Sequence, residues 1–261
     1  MANLVYTHLQ LREIFHLEFL RWFGRKNKAI YAVKGGANLR FFFNSIRYSE
    51  DMDLDIKGVE VAALKNKVLE ILTSGSFQDN MRPFGIENII APDIGRAKQT
   101  ETTQRFKVHL IAYSGEDLFT KIEFSRRGLK QGITTESVSD SVLRQYKLAP
   151  LLAGHYDIGA AITQKIEALA GRAVLQARDV FDLYTLSSQY EKTGQRPYKT
   201  ANAKLKTAYE NIFAISFEQF RDTVITYLSA EDQDLYDSPK LWDDIQLKAA
   251  DFINGLKGQD A

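Results

Sequence analysis

The spacing of apolar side chains separates a mixed first half of the chain from a helical second half. Between Leu9 and Phe23, the positions Leu11, Ile14, Phe15, Phe19, Leu20 and Phe23 recur near helical spacing. Arg12, Glu13, Glu18 and Arg21 fall largely opposite, which predicts an amphipathic helix. Ala29 to Val33 is an apolar run of strand length, and Gly35-Gly36 turns the chain into a brief helix over about Ala37 to Asn44. Asp51 to Lys57 alternates acidic and apolar residues and predicts a strand; Val61 to Thr73 predicts a second amphipathic helix. From Ser74 to Lys98 the periodicity fades among Gly75, Pro83, Gly85, Pro92 and Gly95. Arg105 to Tyr113 and Asp117 to Arg126 read as an antiparallel pair joined through Tyr113-Ser114-Gly115-Glu116.

After Pro150 helical patterns take over. Ile158 to Gly171 follows Asp157 as N-cap, and Arg178 to Ser188 comes next. A polar loop with Gly194 and Pro197 precedes Ala201 to Ile212. Ser216-Phe217-Glu218-Gln219 is a capping box opening a helix to about Ser229, and Ser238-Pro239 opens the last one. The expected class is α+β: a mixed sheet flanked by helices over residues 1–150, then an α-helical bundle over 151–261.

Composition narrows the chemistry mainly by exclusion. With no cysteine among 261 residues, disulfides, thiolate zinc sites and cysteine nucleophiles drop out. The net charge of +1 means that any affinity for nucleic acid must come from a local basic face. No apolar run reaches membrane-spanning length, and Met1-Ala2-Asn3-Leu4 does not open a signal peptide, so a cytoplasmic location without membrane contact is expected. His8, His16, His109 and His155 show no metal-ligand spacing.

Chemistry gathers between Lys34 and Ile56. On a strand, Asp51, Asp53 and Asp55 share one face while Met52, Leu54 and Ile56 point into a core. Carboxylates so placed repel one another unless a cation or basic groups lie among them. The face therefore reads either as a divalent-metal site or as a solvated edge. Residues two apart on a strand stand roughly 7 Å apart at the backbone, and their side chains can converge on ions about 4 Å apart, the two-metal spacing of phosphoryl transfer. Glu123, on the polar face with Lys121 and Ser125, is the candidate third acid. Gly35-Gly36, between strand and helix, serves either as a phosphate cradle or simply as a tight turn. Lys34, Arg40 and Arg47 flank it as candidate partners for a triphosphate or as surface ion pairs.

The run Lys34-Gly35-Gly36-Ala37-Asn38-Leu39-Arg40, followed by Arg47-Tyr48-Ser49-Glu50-Asp51-Met52-Asp53-Leu54, resembles the AbiEii/AbiGii-type toxins of the DNA polymerase β-like nucleotidyltransferase superfamily. Downstream, Lys165-Ile166-Glu167-Ala168-Leu169, Arg172 and Ala177-Arg178-Asp179-Val180-Phe181-Asp182-Leu183 resemble that family's helical motif. Thr120 to Ser125 is similar to its third-carboxylate strand. Ala37 stands where relatives often carry Thr, leaving Asn38 as the polar side chain at the turn, and Asp55 is an acid beyond the usual pair.

The resemblance implies roles. Asp51, Asp53 and Glu123 would hold a two-ion Mg²⁺ site, and Gly35, Gly36, Ser49 and Arg47 would serve the nucleotide. Lys165 would reach the nucleotide from the helical half, which would complete the active-site cleft, with Asp179 and Asp182 helping to assemble it. The implied reaction moves a nucleoside monophosphate from an NTP to an acceptor, RNA or a tRNA end foremost. The implied setting is a toxin–antitoxin or phage abortive-infection pair with a cognate antitoxin. The alternatives are transfer to a protein or small molecule, and an inactive binding module on the same fold. Basic segments at Arg25-Lys28, Arg96-Lys98 and Arg126-Lys130 read as an RNA groove or as solvated loops.

Overall fold

The computed structural model describes residues 6–26, 30–95, 97–193 and 197–257. Met1 to Leu4, Asn27 to Ala29, Arg96, Gly194 and the tail beyond Lys257 lie outside the described residues. The chain forms two compact units, one running up to Phe42 and resuming over Tyr48–His155, the other made of Phe43–Arg47 and the chain from Tyr156 onward.

In the first unit the elements are α1 (His8–Lys26), β1 (Ile30–Lys34), α2 (Gly35–Phe42), β2 (Met52–Lys57), α3 (Val61–Leu72), α4 (Gly75–Met81), β3 (Ile86–Ile90), β4 (Thr103–Ala112), β5 (Asp117–Ser125), β6 (Ile133–Ser137), α5 (Asp140–Gln145) and β7 (Leu152–Tyr156), whose last residue falls in the second unit. The strands make one mixed sheet in the order β3-β4-β5-β2-β1-β7-β6. β1 and β2 are antiparallel, as are β4 and β5, whereas β2 runs parallel to β5. Alternation gives the sheet two chemically distinct faces. Met52, Leu54, Phe106, Val108, Ile122 and Phe124 are buried on one face, with Phe15, Phe19 and Phe23 of α1 in the same core. The other face carries Asp53 and Asp55 of β2, Arg105, Lys107 and His109 of β4, and Lys121 and Glu123 of β5. A β-carbon on Gly154 would overlap the Tyr31 carbonyl oxygen, so only glycine lets β7 approach β1 this closely.

Residues 74–98, where periodicity fades, contain α4, a 3-10 turn at Arg82–Phe84, and β3. The reason is physical: α4 has seven residues, of which only Phe77 and Met81 are buried, and a register irregularity between Ile86 and Asn88 breaks the alternation of β3.

The second unit is helical: α6 (Ile158–Gly171), α7 (Ala177–Thr193), α8 (Asn202–Ile212), α9 (Phe217–Thr223), α10 (Ala230–Tyr236) and α11 (Pro239–Lys257). Asp157 caps α6 by accepting from the Ala160 N–H at 2.8 Å, and Ser216 with Gln219 closes the capping box of α9. The helix expected to run to Ser229 instead stops at Thr223. A 3-10 turn follows at Ile225–Tyr227, and Ser229 becomes the N-cap of α10.

Candidate functional site

The polar face of β2 and β5 gathers the carboxylates. Asp53 is directly in register with Glu123 across the parallel pair, and Glu123 with Arg105 across the antiparallel one. Asp51 lies one residue before β2. Lys121 Nζ is 2.8 Å from Asp51 Oδ2 and 4.0 Å from Glu123 Oε2, and Arg105 Nε is 2.7 Å from Glu123 Oε2. Asp53 has no ion pair or side-chain hydrogen bond among the described residues. Burial pushes its carboxyl above the ordinary value; Lys121 and Lys34 pull against that shift, while Glu123 and Asp51 add to it.

Gly35 sits beside this group with φ at +66°, a left-handed conformation natural to glycine. A β-carbon there would lie 3.3 Å from Asp53 Oδ2, so the turn between β1 and α2 runs directly against the acid. Gly36 is the second residue of α2, and the first N–H groups of a helix are open to an anion.

Several neighbours have other work. Lys34 Nζ holds the buried Asp55 at 2.5 Å, so the second acid of β2 is neutralised within the sheet. Arg40 pairs with the buried Glu13 at 2.7 Å, and Tyr146 donates to the same carboxylate. Asn38 is buried against His155, Oδ1 to Nδ1 at 3.0 Å, which removes it as a stand-in for a phosphate-binding hydroxyl. Ser49 Oγ donates to the Asp51 carbonyl at 2.7 Å and so shapes the entry to β2.

His16 of α1 supports the entry to β2. It is buried on α1 with its pKa lowered to about 3, by burial first and Arg12 second, and is neutral at ordinary pH. Thr120 donates its one hydroxyl proton to the Glu50 carbonyl at 2.7 Å. The 2.7 Å contact to His16 Nε2 must then be donated by the imidazole, which sets the Nε2–H tautomer. This relay anchors the peptide just before Asp51. No sequence signal marks it, because a lone histidine on an apolar helix face looks like packing.

In the helical unit, Lys165 and Asp182 are joined by Arg47. Arg47 donates to both Asp182 oxygens, at 2.9 and 3.0 Å from Nη2. Lys165 Nζ bonds Asp179 Oδ1 at 3.0 Å and Asp182 Oδ2 at 2.6 Å, and Arg172 Nε lies 3.0 Å from Asp179 Oδ2. Burial works against the charge on Asp182, but Arg47 and Lys165 together hold its carboxyl below the usual range. Arg47 is buried and holds Asp182 in a bidentate pair.

Among the described residues no three acidic or histidine side chains converge into a ready-made ligand set. The donor chemistry nevertheless fits a hard divalent ion. Asp53 and Glu123 offer neighbouring carboxylate oxygens, and burial disfavours the charged form of Asp53 more than Lys121 and Lys34 favour it.

Comparison with known proteins places these features in a family. The family described as "Nucleotidyl transferase AbiEii toxin, Type IV TA system" matches residues 25–253. Among solved structures, the chain shares its fold with the nucleotidyltransferase toxin MenT4 from Mycobacterium tuberculosis, at 15% identity and TM-score 0.63, covering 97% of this chain and 85% of that one. It shares it also with JHP933 from Helicobacter pylori, at 18% identity and TM-score 0.59, covering 98% of this chain and 96% of that one. No curated protein sequence matches. No helix among the described residues is long and apolar enough to cross a membrane. The chain therefore belongs to the AbiEii family of nucleotidyl transferase toxins.

Proposed function

We propose that the protein transfers a nucleoside monophosphate from an NTP to an acceptor hydroxyl in a Mg²⁺-dependent reaction, with RNA, a tRNA end included, as acceptor. The observation that carries this reading is the glycine turn lying against Asp53, itself in register with Glu123. Phosphate-receiving backbone and carboxylate donors thereby share one corner of the sheet.

Asp51, Asp53 and Glu123 would hold the divalent ions, which when bound supply charge neutralisation for the polyphosphate and acidify the acceptor hydroxyl. Gly35 and Gly36 offer backbone N–H groups to the phosphates. Ser49 fixes the backbone at Asp51, and Lys34 keeps Asp55 out of the ligand set. Lys165 would contact the nucleotide, with Asp179 and Asp182 orienting its ammonium and Arg47 orienting Asp182.

RNA as acceptor is supported by the open end of the same sheet face. Phe119 is 60% exposed there and stacks on His109, ring centroids 4.6 Å apart, a platform suited to an unstacked base. The toxin family implies a cognate antitoxin.

Incubation with each labelled NTP, Mg²⁺ and total RNA, wild type against Asp53→Ala, tests the reading. Labelled RNA from wild type alone is expected. Equal labelling by both proteins removes the metal assignment, and label in protein rather than RNA moves the acceptor elsewhere.

A further inference from the structure

We propose that Lys121 is an exchangeable counter-ion for the carboxylate group, occupying the cation position between Asp51 and Glu123 and leaving it when a divalent ion binds. The inference rests on the metal-binding role proposed above for Asp51, Asp53 and Glu123.

The geometry distinguishes Lys121 from every other cation nearby. Its ammonium reaches two carboxylates of the group, at 2.8 and 4.0 Å, whereas Arg105 reaches Glu123 alone and Lys34 is committed to Asp55. Its side chain is 27% exposed, so it can withdraw into solvent without unpacking any core. An ammonium on a flexible four-carbon stem is a point charge that other cations can replace, unlike a guanidinium fixed in a planar fork.

Charge counting gives a reason for the exchange. With all three carboxylates ionised, the form in which they ligate a metal, Lys121 and Arg105 leave one net negative charge. A divalent ion entering with both basic residues in place would leave a net positive charge; if Lys121 departs, the group is neutral. The departing ammonium remains on the same face, opposite the exposed Lys107. Two like charges facing each other across strands repel, so the acids are what draw Lys121 inward. Once displaced, its charge is free for a polyphosphate, which ties substrate attraction to ion loading.

The sign of the effect is the test. Mn²⁺ alone, without nucleotide, is titrated into wild type, Lys121→Met, Lys121→Gln, Lys107→Met and Asp53→Asn, with binding followed by the loss of the free-ion electron paramagnetic signal. Removing a residue that merely supports the site should weaken Mn²⁺ binding. Removing a competitor should tighten it. Lys121→Met and Lys121→Gln are expected to bind Mn²⁺ about tenfold more tightly than wild type, with a lower melting temperature before Mn²⁺ is added and a larger upward shift after it. Lys107→Met should stay within twofold of wild type. Unchanged or weaker binding in both Lys121 variants overturns the exchange. If Asp53→Asn abolishes binding in that case, the metal site stands and only the exchange fails. If Asp53→Asn binds as wild type does, the metal site fails as well.

Discussion

Gly35 lies so close to Asp53 that a β-carbon on it would be 3.3 Å from the carboxylate oxygen. The contact joins two signals that are 18 positions apart in sequence and individually ordinary, a turn glycine and a strand aspartate. Gly35→Ala should therefore act twice. A left-handed φ costs a side chain about 1–2 kcal/mol, read as a lower urea midpoint. The methyl group also presses on Asp53, so the thermal stabilisation conferred by NTP with Mg²⁺ should fall several-fold.

Asp53 is a carboxylate whose folded pKa is raised, so its charge costs stability once pH rises through that raised value. Asp53→Asn should accordingly increase the midpoint of urea unfolding at neutral pH in the absence of divalent ions. The same change should lower nucleotidyl transfer by about 100-fold or more. Gain in stability with loss of activity marks a functional acid; loss of both would mark a structural one.

Asp182 is fully buried and held by Arg47 and Lys165. Removing it takes the bidentate carboxylate from Arg47 and one of two carboxylates from Lys165, and Asp182→Ala should cost about 3–5 kcal/mol in chemical unfolding. Asp182→Asn retains hydrogen bonds to Arg47 and should cost less.

His16 binds a proton in the unfolded chain below about pH 6.5 and in the folded protein only near 3. Its contribution to stability is thus complete above about 6.5 and is lost as pH falls from there toward 3, at about 1.4 kcal/mol per unit. Between pH 7 and 5, wild type should lose about 2 kcal/mol more than His16→Gln, measured by urea unfolding at both pH values.

Much of the site was legible because strand alternation is a strict rule. Asp53 and Glu123 could be placed on polar faces from their apolar neighbours alone, and their register pairing then followed from the fold. What alternation cannot reveal is which partner a charge selects. Arg47, Arg40 and Lys34 looked interchangeable as phosphate ligands, yet each is taken by a specific acid distant in sequence: Asp182, Glu13 and Asp55. β6 escaped notice because its residues are at most half-buried and carry no apolar rhythm, and β7 because five residues with a central glycine are too short to show one.

The segment Phe43–Arg47 belongs with helices that begin more than a hundred residues later. The helical unit is consequently not a continuous stretch of gene. A fragment starting at Tyr156 would carry Asp182 and Lys165 but lack the guanidinium that holds Asp182. During synthesis Arg47 emerges 135 residues before its partner, so the first unit can complete its sheet while this loop still waits for α7. Cutting the chain between the two units would give two incomplete proteins rather than two domains.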